Sequence, residues 1–270
     1  MSHRYRYPLS LQTVLPDDYA RNKRFGSLLK LLRELGFWGV ELNVGDPKEH
    51  DFEAVQRFLR RFGLEFSMLA TGLTARRFGL SLSHPDEAVR RRSVDKCREM
   101  ISWVGDPGTG VILGMIKGGT APDARLARRR FALSLAKIVL EARKRRVPIL
   151  IEATNRYETA VANTVAEAVG FGGKYGASCV QVLPDTFHMN IEEADLLGAL
   201  RANREHFQSL HLSDNNRLFP GLGAIDFGRI IACLAKIGYT GRIAIEGNIR
   251  ADLRSDLRAT MKYLAPLLRA

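Results

Sequence analysis

The chain has 270 residues, 46% of them hydrophobic and 26% charged, which excludes a disordered polypeptide and matches the size of one α/β barrel, about 250 residues. It has no apolar run of about 18 residues and no apolar stretch behind the basic N-terminal MSHRYRYP, so neither a membrane span nor a secretory signal is expected. The formal charge of +12 comes from scattered arginines such as Arg90, Arg91, Arg92, Arg128, Arg129 and Arg130, a pattern that suits a solvated surface better than a nucleic-acid footprint.

In chain order, a β-rich run at 8–14 precedes a helix over 22–35, where Leu28, Leu29, Leu31, Leu32 and Leu35 recur at helical spacing. A strand at 38–44 leads to a helix at 51–62 built on Phe52, Val55, Phe58 and Leu59. The strand at 65–70 is followed by a long irregular stretch, 71–84, and then a helix at 85–104 that opens on Pro85. Strands at 110–116, 147–152 and 178–183 alternate with helices at 122–145, 159–170 and 191–203. The strand at 207–212 runs into a second irregular stretch, 213–224, before a helix at 227–237. A last strand at 242–246 precedes a helix at 251–268. Eight strand–helix units with no long polar linker predict a (β/α)8 TIM barrel, one domain over residues 1–270. The competing doubly wound sheet lacks a GxGxxG after its first strand. Cys97, Cys179 and Cys233 are widely spaced and odd in number, which gives no disulfide framework and a reduced, cytoplasmic protein as the default.

Ionisable residues stand at the ends of the last four strands. VPILIE ends in Glu152, CVQVLPD in Asp185 and RIAIE in Glu246, while SLHL carries His211. The gaps of 33, 26 and 35 residues are each about one strand–helix unit, so a barrel brings all four to one mouth. Three carboxylates and an imidazole held together call for a cation, because like charges at short range repel. Oxygen and nitrogen donors suit one divalent metal ion of the Mn2+, Mg2+, Co2+ or Zn2+ type. Asn155, Arg156 and Glu158 follow strand five, His188 follows Asp185 by three, and Asp214, Asn216 and Arg217 lie in a Pro- and Gly-bent loop, all placed for ligand contact. Glu41, ending strand two, is open between a contact at the mouth and a buried structural carboxylate, and Gly118–Gly119 between a close backbone approach and a turn. His84 reads as a helix-start neighbour, and His3, His50 and His206 belong to no constellation.

The segments IEATNRYE, DTFHMNIEE and HLSDNNRLFPGLGAIDF resemble those of the xylose-isomerase-like sugar isomerase/epimerase superfamily, and within it the D-tagatose and D-psicose 3-epimerase group. ATGLTARRFGLSLSHP is similar to a segment of the keto-gluconate epimerase branch. The resemblance implies metal binding by Glu152, Asp185, His211 and Glu246 and substrate contacts from Glu158, His188 and Arg217. It implies a ketose or keto-sugar acid 3-epimerase that removes the C3 proton through a cis-enediolate on the metal. Glu152 and Glu246, on different sides of the mouth, fit the two acid–base groups that inversion requires. The loop TGLTARRFG, the pair Ala153–Thr154 and GNIR after Glu246 depart from the usual pattern and bear on the choice of sugar. A small-molecule sugar is the expected partner, with no nucleic acid and no membrane, in a homo-oligomer (dimer or tetramer). The alternatives are an aldose–ketose or hydroxypyruvate-type isomerase on the same metal site and, more distantly, an endonuclease IV-like repair nuclease or a non-catalytic barrel. The nuclease would need histidines where strands three and four end in LATG and GMIKGG.

Overall fold

Runs such as ILIE and GVIL have no polar alternation, as strands covered on both faces require. The computed structural model describes residues 4–105 and 108–269, and His3 lies outside them. The strands are β1 (Leu9–Val14), β2 (Gly39–Asn43), β3 (Glu65–Ala70), β4 (Gly110–Leu113), β5 (Ile149–Glu152), β6 (Val180–Leu183), β7 (Ser209–Leu212) and β8 (Arg242–Ile245). All their pairings are parallel, in the order β6-β5-β4-β3-β2-β1-β8-β7. The ring closes between β6 and β7 through a bridge from Asp185 to His211, whose backbone N–H donates to the Pro184 carbonyl at 2.9 Å. Eight parallel strands with helices between them form the expected (β/α)8 barrel.

The helices are α1 (Lys23–Glu34), α2 (Phe52–Arg61), α3 (Gly72–Phe78), α4 (Glu87–Val104), α5 (Ala124–Arg145), α6 (Val165–Gly172), α7 (Thr186–Glu192), α8 (Leu196–Ala202), α9 (Phe227–Lys236) and α10 (Leu253–Arg269). Asn22, Asp51, Asp86, Asp123, Thr164, Asp195 and Asp226 each accept a backbone N–H at a helix start, which stabilises each helix by about 1 kcal/mol. The main core lies between strands and helices, and a smaller cluster of Met68, Ala70, Ile112, Leu150 and Leu183 fills the bore. Gly110 is required beside that cluster, because a Cβ there would run into Leu150 and Met68. At the N-terminal end of the barrel Arg242 reaches across to the carbonyl oxygens of Ser67 and Gly108.

Several boundaries differ from the sequence expectation. The stretch 71–84 contains α3, whose seven residues are too few for a periodic signal and whose start has no side-chain cap. The helix expected at 191–203 is two helices, because Asp185 starts α7 earlier and Asp195 starts α8 after an extended Glu193. The helix expected from 159 starts at Val165, behind the Thr164 cap. No helix among the described residues is long and apolar enough to cross a membrane.

Candidate active site and metal centre

Each of the four strand-end residues is aimed by a different local device. Glu152 is the last residue of β5, against Gly114, where any Cβ would collide with its carboxylate. Asp185 caps α7: its Oδ1 accepts the N–H groups of Phe187 at 2.8 Å and His188 at 3.3 Å, so Oδ2 is left for the barrel centre. His211 is fully buried in β7, and its Nε2 lies 2.8 Å from Oε2 of Glu41, also fully buried, on β2. Glu246 stands one residue past β8. The four present ligand atoms all within 4.8 Å of one another. His211 Nδ1 lies 2.6 Å from Glu246 Oε2 and 3.7 Å from both Glu152 Oε1 and Asp185 Oδ2.

This set fits a divalent cation. His211 Nδ1 and Glu246 Oε2 are buried and face each other at 2.6 Å without the geometry of a hydrogen bond, and neither has a hydrogen-bond partner elsewhere among the described residues, an arrangement that a cation between the donors would satisfy. When a metal is bound, Nε2 donating to Glu41 would leave the Nδ1 lone pair facing the three carboxylates, as in a carboxylate–histidine–metal chain. Burial pushes the Glu152 carboxyl up, but the His211 and His188 imidazoles outweigh it and hold it below its usual range. Burial also opposes ionisation of Asp185, and Arg217, His188 and His211 overcome that to hold it well below the carboxylate range. Burial disfavours charge on His211, yet Glu41 and Glu246 raise it well above its ordinary value.

The other expected residues surround this centre. Arg217 donates to Asp185 Oδ2 at 2.7 Å and pairs with Glu246 Oε1 at 2.8 Å, with its guanidinium over the Phe187 ring. It thus holds two of the four carboxylate and imidazole groups in place as well as lining the cavity. Its backbone sits at φ 60°, a strained conformation for a side-chain-bearing residue, held by Asn248 N–H donating to its carbonyl at 2.7 Å. His188 is buried on α7 with Nδ1 2.7 Å from Asn155 Nδ2, so Nδ1 accepts and Nε2 carries the proton, 3.9 Å from Glu152 Oε1. Asn155 also donates to Glu158 Oε1 at 3.0 Å. A cavity of about 430 Å3 opens over Glu152, Glu158, His188, Arg217 and Glu246, with Gln12, Asn43, Thr71, Arg76 and Met115 on its other side.

Some residues take roles other than those expected. Glu41 is a buried support for His211 and not a mouth contact, a role hidden by 170 residues of separation. Asp214 is turned inward, where its carboxylate accepts the N–H groups of Asn215, Gly221, Gly223 and Ile225 and so shapes the loop that carries Arg217. Arg156 pairs with Glu192. Gly118 is a close approach, with Ser81 and Ser83 packed where a Cβ would be. His50 is not isolated: it groups with Asp17 and Glu49 at the rim, although Arg77 already binds Glu49 through two hydrogen bonds. Lys117, passed over in the sequence, is fully buried behind Glu152 and donates to the Glu152 carbonyl and to Thr154 Oγ1. Burial pulls its pKa down to about 8 against the pull of Glu152, Glu158 and Glu167.

The family described as a xylose isomerase-like TIM barrel matches residues 29–267. The chain is 30% identical over 218 residues to an L-ribulose 3-epimerase of Mesorhizobium japonicum, covering 79% of this chain and 72% of that one. It is 26% identical over 252 residues to a 3-dehydro-D-guloside 4-epimerase of Escherichia coli, covering 89% of this chain and 91% of the relative. A solved structure of an L-ribulose 3-epimerase matches with a TM-score of 0.84 at 26% identity, over 97% of this chain and 94% of that chain. The chain belongs to the xylose isomerase-like TIM barrel family.

Proposed function

We propose that the chain is a metal-dependent sugar epimerase that inverts a carbon next to a ketone, C3 of a ketose or keto-sugar acid. The observation that carries this reading is the pair Glu152 and Glu246, on β5 and just past β8, facing one cavity across the His211 Nδ1 that both approach. Glu152, Asp185, His211 and Glu246 would hold one divalent ion, Mn2+ first. When bound, that ion supplies Lewis-acid stabilisation of the negative charge that develops on the substrate's oxygens.

Inversion requires one group to take the proton from one face and another to return a proton to the opposite face. Glu152 and Glu246 are assigned those two roles, since each stands on its own side of the cavity. Arg217 anchors Glu246 through Oε1 and Asp185 through Oδ2, which fixes the direction of the Glu246 carboxylate. His188, with its proton on Nε2, donates toward a substrate oxygen near Glu152, and Asn155 and Glu158 hold that imidazole in its tautomer. Lys117 ties down the backbone of Glu152 from behind. Three free buried thiols support a reducing compartment, the cytoplasm. The homo-oligomer expected for such an enzyme is checked by sedimentation.

A second reading has its own support: the relative from Escherichia coli is named a 4-epimerase, and its overlap spans 89% of this chain. C3 of a 2-ketose and C4 of a 3-ketone are both carbons next to a ketone, so the same two carboxylates serve either. Exchange in D2O separates the readings. Manganese-loaded protein with 2-ketoses, keto-sugar acids and 3-keto-glycosides is followed by NMR. Deuterium at C3 with the C3 epimer formed is the expected result. Deuterium at C4 of a 3-keto-glycoside moves the assignment to the second reading, deuterium at C1 or C2 with an aldose product moves it to an isomerase, and no exchange anywhere overturns it.

A further inference from the structure

The wall of the cavity opposite the four clustered groups contains a cation with no anionic partner among the described residues. Arg76 lies exposed on α3 and lines the cavity, and among the described residues its only hydrogen-bond contact is a long one, 3.9 Å, from Nη2 to the Met115 sulfur. Among the described residues no carboxylate pairs with it. Arg217, the other arginine lining the cavity, is occupied, as are Lys117 behind Glu152 and Arg77 beside Arg76. Arg217 is on Asp185 and Glu246, Lys117 is on the Glu152 carbonyl and Thr154, and the adjacent Arg77 is bound to both oxygens of Glu49. The helix under Arg76 is fixed at its root. Thr71 Oγ1 donates to the Ile112 carbonyl at 2.7 Å, Thr74 Oγ1 donates to the Val44 carbonyl at 2.6 Å, and Leu73 N–H donates to Asn43 Oδ1 at 3.2 Å.

We propose that Arg76 is a specificity-determining residue that binds an anionic group, a carboxylate or a phosphate, at the end of the sugar remote from Glu152 and Glu246. The inference rests on the epimerase reading above and narrows its substrate class. A sugar whose ketone end lies among the groups of β5–β8 extends its other end over β1–β4, where Gln12, Asn43 and Thr71 are neutral. Hydroxyls are served by those neutral side chains. A guanidinium adds discrimination there only toward a planar or tetrahedral oxyanion that its forked donors can grip. The rest of the cavity does not repel such an anion. A bound divalent ion together with Arg217 would balance the charges of Glu152, Asp185 and Glu246, and Glu158 lies half-exposed beside Asn155 in the β5 half of the cavity, where water screens its charge.

The test compares the full-length native protein and Arg76→Met, which keeps an apolar stem, with three ligands that share one ketone end. These are a neutral ketohexose, the ketohexuronate with a carboxylate at C6, and the ketohexose 6-phosphate. Affinity is read by calorimetry on manganese-loaded protein, and exchange at the carbon next to the ketone is read by NMR. The expected result is that the native protein prefers one anion over the neutral sugar by roughly 30-fold or more, the size of a charged hydrogen-bonded pair. Arg76→Met is expected to remove that preference, so that the anion loses about 30-fold beyond any loss for the neutral sugar. Preference for the uronate identifies a keto-sugar acid, and preference for the phosphate ester a sugar phosphate. Equal affinity for all three ligands in the native protein, an equal loss for all three in the variant, or no binding of either anion overturns the inference. Anion preference without exchange breaks the epimerase reading and leaves the Arg76 site standing. Exchange on the neutral sugar with no anion preference breaks only the Arg76 inference.

Discussion

The two halves of the barrel mouth are built differently. Strands β5 to β8 and their loops supply Glu152, Glu158, Asp185, His188, His211, Arg217 and Glu246, nearly all tied to one another within a few ångströms. The wall of strands β1 to β4 presents the neutral Gln12, Asn43, Ala70, Ile112 and Gly114 to the same cavity with Arg76 as its one charged lining residue, and its buried carboxylate, Glu41, is turned through to His211. The charged half is held by mutual constraint. Arg217 fixes two carboxylates, an Asp185 cap leaves one oxygen inward, and Asp214 holds the loop. The largely neutral half, Arg76 apart, is held by ordinary packing and by threonine hydroxyls on backbone carbonyls. Reaction chemistry needs groups preorganised to fractions of an ångström, whereas selection of a sugar needs only shape and a few donors.

If this division holds, substitutions in the charged half should lower turnover or stability, and those in the neutral half should change substrate binding. The largest effect is expected for Glu152→Gln, which keeps shape and removes the base. Turnover should fall by roughly 1,000-fold or more with the circular dichroism and melting curve little changed, because a positioned general base contributes about 100- to 10,000-fold. A near-native rate would end the two-base assignment. Asp214→Ala comes next, since it strips four backbone N–H groups of their acceptor in a tight loop. It should lose about 3 kcal/mol of stability in denaturant titrations and reduce activity as well, because Arg217 rides on that loop. Glu41→Gln should weaken metal affinity by about 10- to 100-fold while the apparent fold stays intact. Titration with manganese reads this, and unchanged affinity would show that Glu41 supports packing alone.

How far the site was legible follows the same division. Glu152, Asp185, His211 and Glu246 were readable because each stands at or next to a strand end one unit from the next, so the barrel's own repeat brings them together. Asp185 and Glu246 lie just past the ends of β6 and β8, a shift that leaves the convergence intact. Glu41 was not resolvable, because its partner is 170 residues away and nothing local distinguishes a carboxylate facing a ligand from one facing a histidine. Lys117 follows an apolar strand like any surface lysine, and its burial depends on Glu152 and Thr154 packing over it. Arg76 was hidden in a stretch that reads as irregular, since a seven-residue helix without a side-chain cap leaves no periodic trace.

The smallest expected effect belongs to the neutral half. Gln12 lines the cavity from β1, and its Oε1 accepts from Asn43 Nδ2 at 3.1 Å, which leaves its amide nitrogen for a ligand. No charge develops near it during proton transfer, so its contact is equally strong with bound sugar and with the transition state. Interactions of that kind lower KM without raising kcat. Gln12→Ala should therefore raise KM by several-fold, on the order of one neutral hydrogen bond, with kcat changed less than about twofold. Steady-state kinetics on the best substrate of the panel separates the two parameters. A fall in kcat equal to the fall in kcat/KM would mean that the β1–β4 wall takes part in the chemical step, and the division between a reacting half and a selecting half would have to be redrawn around Gln12.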